Sequence, residues 1–220
     1  FEKEIKIAFL SSFTINGLAE TIKAKCIEKK IGCNIYTGNY NQYNQEILDK
    51  KSKLYDFKPD LTYLIIDTRS IFTDLFFHPF SMSVNERKDL VKNKFNEIVD
   101  LQIIFSKNSS SKLIVSNLAI PYYSPYGIND NKHEYGLVEM INDFNSQLTN
   151  YYKKIDSVFI YDFNRFNLEF GSQHIFDYRQ YFYGDIKISL DSIPSFADDL
   201  IQYVFPIKSS NRKCIVVDLD

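Results

Sequence analysis

Three observations predict an α/β fold built as a three-layer, doubly wound parallel sheet. Five short runs of apolar and β-branched residues punctuate the chain, as buried parallel strands do. Longer segments between them carry apolar residues at helical spacing. No stretch repeats at a solenoid period. Strands alternating with helices in this way form one sheet with helices on both faces.

The first strand is Glu4 to Leu10, followed by a turn over Ser11, Ser12, Phe13 and Thr14. Ile15, Leu18, Ile22 and Cys26 then share a helical face, and Gly32 is expected to stop that helix. Asn34 to Tyr36 reads as a second strand ending at Gly38. The polar stretch Asn39 to Asp49 reads as a surface loop or irregular helix, with side chains facing a groove as the functional alternative. Leu61 to Ile66 is a third strand, leading to Asp67-Thr68-Arg69-Ser70. Phe72, Phe76, Phe77 and Phe80 follow in an aromatic lid or short helix.

Asn85 to Lys107 predicts a long amphipathic helix, and Lys112 to Asn117 a fourth strand. An aromatic loop over Pro121 to Gly127 precedes a helix marked by Leu137, Met140, Ile141, Phe144, Leu148 and Tyr151. Ser157 to Tyr161 is the fifth strand, then a loop is expected as far as Asp191. Pro194 sits near the start of a last helix reaching Phe205. Residues 1–207 are expected to form one domain, and 208–220 a linker and the first strand of another.

Composition narrows the class. The 220 residues are 45% hydrophobic and 25% charged, values of an ordinary globular protein. A net charge of −2 offers no basic field for nucleic acid or an anionic membrane, so neither is an expected partner. The lysines from Lys23 to Lys30 alternate with apolar residues and read as a helix's wet face. Cys26, Cys33 and Cys214 lack metal-type spacing and are odd in number, which fits a reducing, cytoplasmic setting. No apolar run is of transmembrane length and no signal peptide is visible. A chain beginning at Phe1 and ending at Asp220 reads as a fragment at both ends.

Two groups of residues carry candidate chemistry. Cys214-Ile215-Val216-Val217 reads as a buried strand that delivers Asp218 and Asp220 at its carboxyl end, where open α/β sheets bind ligands. Two apart on a strand, both carboxylates point to one face. One can attack phosphorus while the other handles the proton, both near Mg²⁺. An ordinary strand ending in two solvated acids is the alternative. The strand followed by Asp-x-Asp resembles the first motif of the haloacid dehalogenase (HAD) superfamily, a Rossmannoid fold. The Thr and later motifs of that superfamily are absent.

The second group collects at the carboxyl edge of the first, third and fourth strands. Ile7 to Thr14 resembles the nucleophile turn of SGNH-type hydrolases, a flavodoxin-like fold, with Ser12 and Thr14 in the matching places. Gly38 matches the oxyanion-hole glycine. Asp67 to Ser70 aligns with Gly-x-Asn-Asp, so Arg69 replaces the Asn. Asp177 to Gln180 aligns with Asp-x-x-His, so Gln180 replaces the His. Glutamine cannot accept a proton, and a serine hydroxyl needs a base within hydrogen-bond reach. His174 precedes Asp177 by three residues, and His78 and His133 lie in unrelated loops. The reading is an SGNH-like scaffold without its base. Ser12 remains a candidate catalytic residue. Ser11, Gly38, Asn41, Arg69, Asn117, Asp177 and Arg179 are candidate ligand-binding residues, with the arginines suited to a phosphate or carboxylate.

Together, Leu10-Ser11-Ser12-Phe13-Thr14, the segment from Gly38 to Asp49, Asp177-Tyr178-Arg179 and the Arg212 to Asp220 terminus resemble the N-terminal part of FkbH-like proteins, HAD subfamily IIIC. The resemblance spans essentially the whole chain. It implies a Mg²⁺-dependent phosphatase or acyltransferase that takes a glyceryl-type unit from a phosphorylated donor and loads it on an acyl carrier protein thiol. Asp218 would be the nucleophile or phosphate-facing carboxylate, and Asp220 the general acid/base; both would stand at the metal. The present domain would then be an accessory module. A docking module for a carrier protein or glycan precursor, and an esterase centred on Ser12, are the rival expectations.

Overall fold

The computed structural model describes residues 3–208. The elements run β1 (Lys3–Ser11), α1 (Leu18–Glu28), β2 (Ile31–Thr37), α2 (Tyr43–Leu48), α3 (Lys53–Phe57), β3 (Leu61–Ile65), α4 (Thr68–Phe72), α5 (Val84–Asn108) and β4 (Lys112–Ser116). They continue through α6 (Leu137–Tyr152), β5 (Val158–Tyr161), α7 (Phe163–Phe170), α8 (Ser172–Ile175), α9 (Tyr178–Gly184), α10 (Ile193–Ile201) and α11 (Val204–Lys208). All five strands are parallel, in the order β2-β1-β3-β4-β5. The expected doubly wound sheet is therefore present.

The strand pattern explains the layering. Side chains alternate faces along a strand, and here both faces are apolar. Ile5, Ile7, Phe9, Leu61, Tyr63 and Ile65 face one core, covered by α1, α7, α8 and α10. Ala8, Leu10, Leu64, Ile66, Leu113 and Val115 face the other, covered by helices that include α2, α5 and α6. Near-continuous apolar runs are what a strand buried on both sides requires.

Differences from expectation lie between strands. Gly32 does not stop α1; it lies in β2 opposite Glu4. The helix ends at Glu28, and Lys30 takes the left-handed conformation with φ 60°. The polar segment after Gly38 contains a true helix, α2, because Tyr43 and Ile47 bury against α5's core. The long loop expected after β5 holds α7, α8 and α9. α7 and α9 are capped by aspartates: Asp162 accepts from the amides of Asn164 and Arg165, and Asp177 from those of Arg179 and Gln180. The final helix divides into α10 and α11.

A buried cation shapes the loops beside the sheet's carboxyl edge. Arg87, only 4% exposed, donates to the carbonyls of Pro79, Met82, Glu134 and Tyr135. It thereby ties the segment before α5 to the segment before α6.

At the sheet's centre Phe9 and Tyr63 are directly opposed on β1 and β3, and their rings stack at 4.9 Å. The Tyr63 hydroxyl donates to the Leu200 carbonyl at 2.6 Å, fastening α10 to the sheet. Tyr63→Phe keeps the ring stack but removes this hydrogen bond, leaving the Leu200 carbonyl with the Tyr203 amide at 3.1 Å. It is expected to cost about 1–2 kcal/mol, read as a lower denaturant midpoint at unchanged m.

Candidate functional site

The chain's path places one crevice at a topological switch. From β1 the chain passes to β2 on one side, then crosses to β3 on the other. In such sheets ligands bind outside the carboxyl ends of the two strands that flank the reversal. Here those ends deliver Ser11 and Ser12 from β1 and Asp67 from β3.

Asp67 organises this crevice. It is 1% exposed. One carboxylate oxygen pairs with the Lys187 ammonium at 2.5 Å, and the other accepts the Tyr181 hydroxyl. That second oxygen also caps α4 by accepting the Arg69 amide at 3.2 Å. Lys187 is buried as well, and its ammonium lies 5.0–5.6 Å from the ring centroids of Phe13, Phe163 and Phe176. Aromatic faces of this kind stabilise a desolvated cation. Burial, then the adjacent Asp67 charge, pushes the Tyr181 phenol far up, so it remains a donor. The remaining cleft, lined by residues including Asp67, Thr68, Pro121, Tyr178 and Lys187, has a free volume of about 10 Å³, that of a single water.

Ser12 sits against this network. It is 2% exposed, and its hydroxyl oxygen accepts the Asp67 amide at 2.8 Å. Among the described residues that is its side chain's hydrogen bond; no histidine, carboxylate or amine accepts its proton. His78, His133 and His174 are all exposed. The backbone amides near Ser12 are engaged too. Gly38 donates to the Phe9 carbonyl at 2.8 Å, Asn41 to Ser11 at 3.1 Å, and Ser12 itself to Ile65 at 3.1 Å. An oxyanion hole needs amides free to aim at a developing charge. At Gly38 the packing is close: a Cβ there would stand 2.8 Å from Leu10 Cδ2 and would displace the end of that side chain.

The other expected ligand-binding residues divide. Ser11's hydroxyl closes a local turn with Phe13. Asn117 accepts the Phe163 amide and donates to Asp162, tying β4 to α7. Asp177 caps α9, and Arg179 points into solvent as an exposed residue. Asn41 is exposed, with φ 52°. Arg69 lies at the crevice mouth. Its guanidinium stacks 4.2 Å from the Tyr181 ring centroid and pairs with Asp185, which also accepts the Tyr40 hydroxyl. The structure thus brings Ser12, Arg69 and Gly38 to one edge and leaves Arg179 outside the network. Asp218 and Asp220 lie outside the described residues. Among the described residues no group of three or more His, Cys, Asp or Glu side chains fits a metal ion, and Asp67 is already matched by Lys187.

Sequence reasoning missed Lys187, Tyr181, Asp185 and Tyr40. The available signal was slight: a lysine between two isoleucines, Ile186 and Ile188, and an aspartate directly after a buried strand.

The Asp67–Lys187 pair carries a clear energetic expectation. Removing one member of a buried ion pair leaves an uncompensated charge, at a cost of roughly 3–5 kcal/mol. Lys187→Met should therefore lower stability by about that amount in chemical denaturation. An unaltered midpoint would mean that the pair does not hold the crevice shut.

Comparisons with known proteins agree with this geometry. The chain resembles the N-terminal part of the protein BF1531 from Bacteroides fragilis, which contains a phosphatase domain complexed with Mg, at 22% identity and a TM-score of 0.78. The match covers 93% of this chain and 52% of that one, so the chain spans about half the length of that structure. A lipase from a goat rumen metagenome matches at 11% identity and a TM-score of 0.56, covering 91% of this chain and 96% of that one. A variant of Axe2, an acetyl xylan esterase from Geobacillus stearothermophilus, matches at 10% identity and a TM-score of 0.55, covering 91% and 94%. At these identities the likenesses show the fold, an SGNH-hydrolase-like α/β sheet. No curated protein matches the sequence. Among the described residues no helix is long and apolar enough to cross a membrane. The family model for the FkbH N-terminal domain matches residues 6–205, and the chain belongs to that family.

Proposed function

We propose that this chain is the accessory domain of an FkbH-like phosphatase or acyltransferase and carries out no hydrolysis at Ser12. The observation behind this reading is the engagement of the Ser12 hydroxyl by the Asp67 amide, with Asp67 itself matched by Lys187 and Tyr181. Activating a serine takes a base that can receive its proton, and stabilising the tetrahedral intermediate takes free donors. Neither is offered by the groups around Ser12.

The phosphate chemistry is assigned to Asp218 and Asp220. Asp218 would face or attack the phosphorus and Asp220 would move the proton. Transfer of the acyl unit, of glyceryl type, to a carrier-protein thiol would proceed instead by attack of the thiol on the acyl carbon with phosphate as the leaving group; attack of Asp218 on that phosphorus would release the free acid. Mg²⁺ bound at these carboxylates would neutralise charge on the phosphoryl oxygens; the metal in the BF1531 phosphatase-domain structure supports that choice. Exposed rings around Arg69 favour a second, compatible reading, in which the domain binds a carrier protein or glycan precursor without transforming it.

One pair of assays tests the assignment. The 220-residue chain should turn over p-nitrophenyl acetate no faster than its Ser12→Ala variant. A longer chain that contains the complete phosphatase domain should lose acyl-phosphate hydrolysis on Asp218→Asn by several orders of magnitude. Ser12-dependent ester turnover, or full activity of the Asp218→Asn chain, would refute it.

A further inference from the structure

We infer that Arg69 is the anchor of a binding site for small organic anions, carrying a phosphate or carboxylate head and an apolar or ring-shaped body, and that Asp185 occupies the anion's place when no ligand is present. The inference rests on the binding reading above and not on acyl transfer.

The guanidinium is pre-positioned. Its Cζ lies over the Tyr181 ring, 4.2 Å from the centroid, and 5.7 Å from that of Phe182. Stacking uses the face of the group and leaves its N–H edge for in-plane acceptors. Arginine has five donors. Among the described residues only its Nη2 is paired, to Asp185. A carboxylate or phosphate fits that fork in two-point geometry.

Asp185 is suited to act as a removable substitute. Its main chain is held on both sides: its amide donates to the Tyr181 carbonyl at 3.1 Å, and its carbonyl accepts the Thr14 amide at 2.9 Å. Its side chain is one-third exposed and touches the surface hydroxyl of Tyr40. Exchange therefore needs a side-chain rotation, not opening of the loop. The charge balance favours the exchange as well. Asp67 is neutralised by Lys187, so turning Asp185 outward leaves one uncompensated positive charge at the crevice mouth.

The surroundings supply the second half of the ligand. Phe182 is 42% exposed and its ring meets Phe77 and Tyr178, each 5.8 Å away. Tyr178 in turn contacts Tyr122 and Tyr123. Tyr123 lies within the field of Arg69, which partly offsets the upward push of burial on its phenol. The result is a continuous run of ring contacts beside one cation at the crevice mouth.

An internal competitor at high effective concentration weakens ligand binding until it is removed. Calorimetric titration of the 220-residue chain with phenyl phosphate, benzoate and inorganic phosphate tests this. Asp185→Asn should bind phenyl phosphate at least roughly tenfold more tightly than the unaltered chain. Arg69→Gln should abolish binding, alone or combined with Asp185→Asn. Phenyl phosphate should outbind inorganic phosphate, and its ranking against benzoate identifies the preferred head. Asp185→Ser serves as a second variant if the Asn form does not fold. Equal affinity in the folded variant and the unaltered chain, binding that survives Arg69→Gln, or no binding by any form would overturn the inference. Such a result would leave Asp218-dependent turnover of the longer chain untouched, so the two readings fail separately.

Discussion

A carboxylate at the end of a central strand, shut away from water, must find a cation. Asp67 meets that demand with Lys187, and much of the carboxyl edge follows from how the two are brought together. The lysine arrives from a segment 120 residues downstream. To deliver it, the chain after β5 folds into three short helices and packs Phe163 and Phe176 around the ammonium. Tyr181, one turn along α9 from its Asp177 cap, then closes the second carboxylate oxygen. A buried pair contributes little net stability compared with apolar side chains of the same shape, but it tolerates no half-measures once built. It fixes the register between β3 and the segment after α9.

That network stands at the carboxyl edge of β1 and β3, the switch point of the sheet. In this chain Arg69 and Gln180 occupy the positions of the expected Asn and His, and α9 contributes a tyrosine one residue later. The Asp67 amide holds the Ser12 hydroxyl as an acceptor. The glycine and asparagine amides nearby complete sheet and turn hydrogen bonds. The fold is SGNH-hydrolase-like, and its polar groups at this edge are engaged with one another. What remains at the mouth is Arg69, set among aromatic rings, a side chain that stays protonated and donates hydrogen bonds.

The fold was legible in the sequence to the degree that burial was continuous. The central strands announced themselves as apolar runs, and Leu61 to Ile65 is buried at every position; β2, partly exposed from Cys33 onward, showed only as Asn34 to Tyr36. The long helices α5 and α6 showed their period. The segment from Phe163 to Gly184 escaped notice because its helices are short and rich in Asn, Tyr and Phe of modest helical preference, although Phe163, Phe166 and Phe170 of α7 do fall at helical spacing. Gly32 misled because a strand can carry a glycine and a lysine can take the left-handed turn. At the site, the absence of a histidine near Ser12 was readable from the Gln180 substitution. The partner that replaced it was not, since Asp67 and Lys187 meet only through tertiary structure.

The account stands on Ser12 being an engaged structural hydroxyl and not a nucleophile. Labelling of the native chain with a fluorophosphonate, read by mass spectrometry of the peptide containing Ser12, addresses this directly. The account predicts no adduct at Ser12 under conditions that fully label an active serine hydrolase. Stoichiometric modification of Ser12 would contradict it.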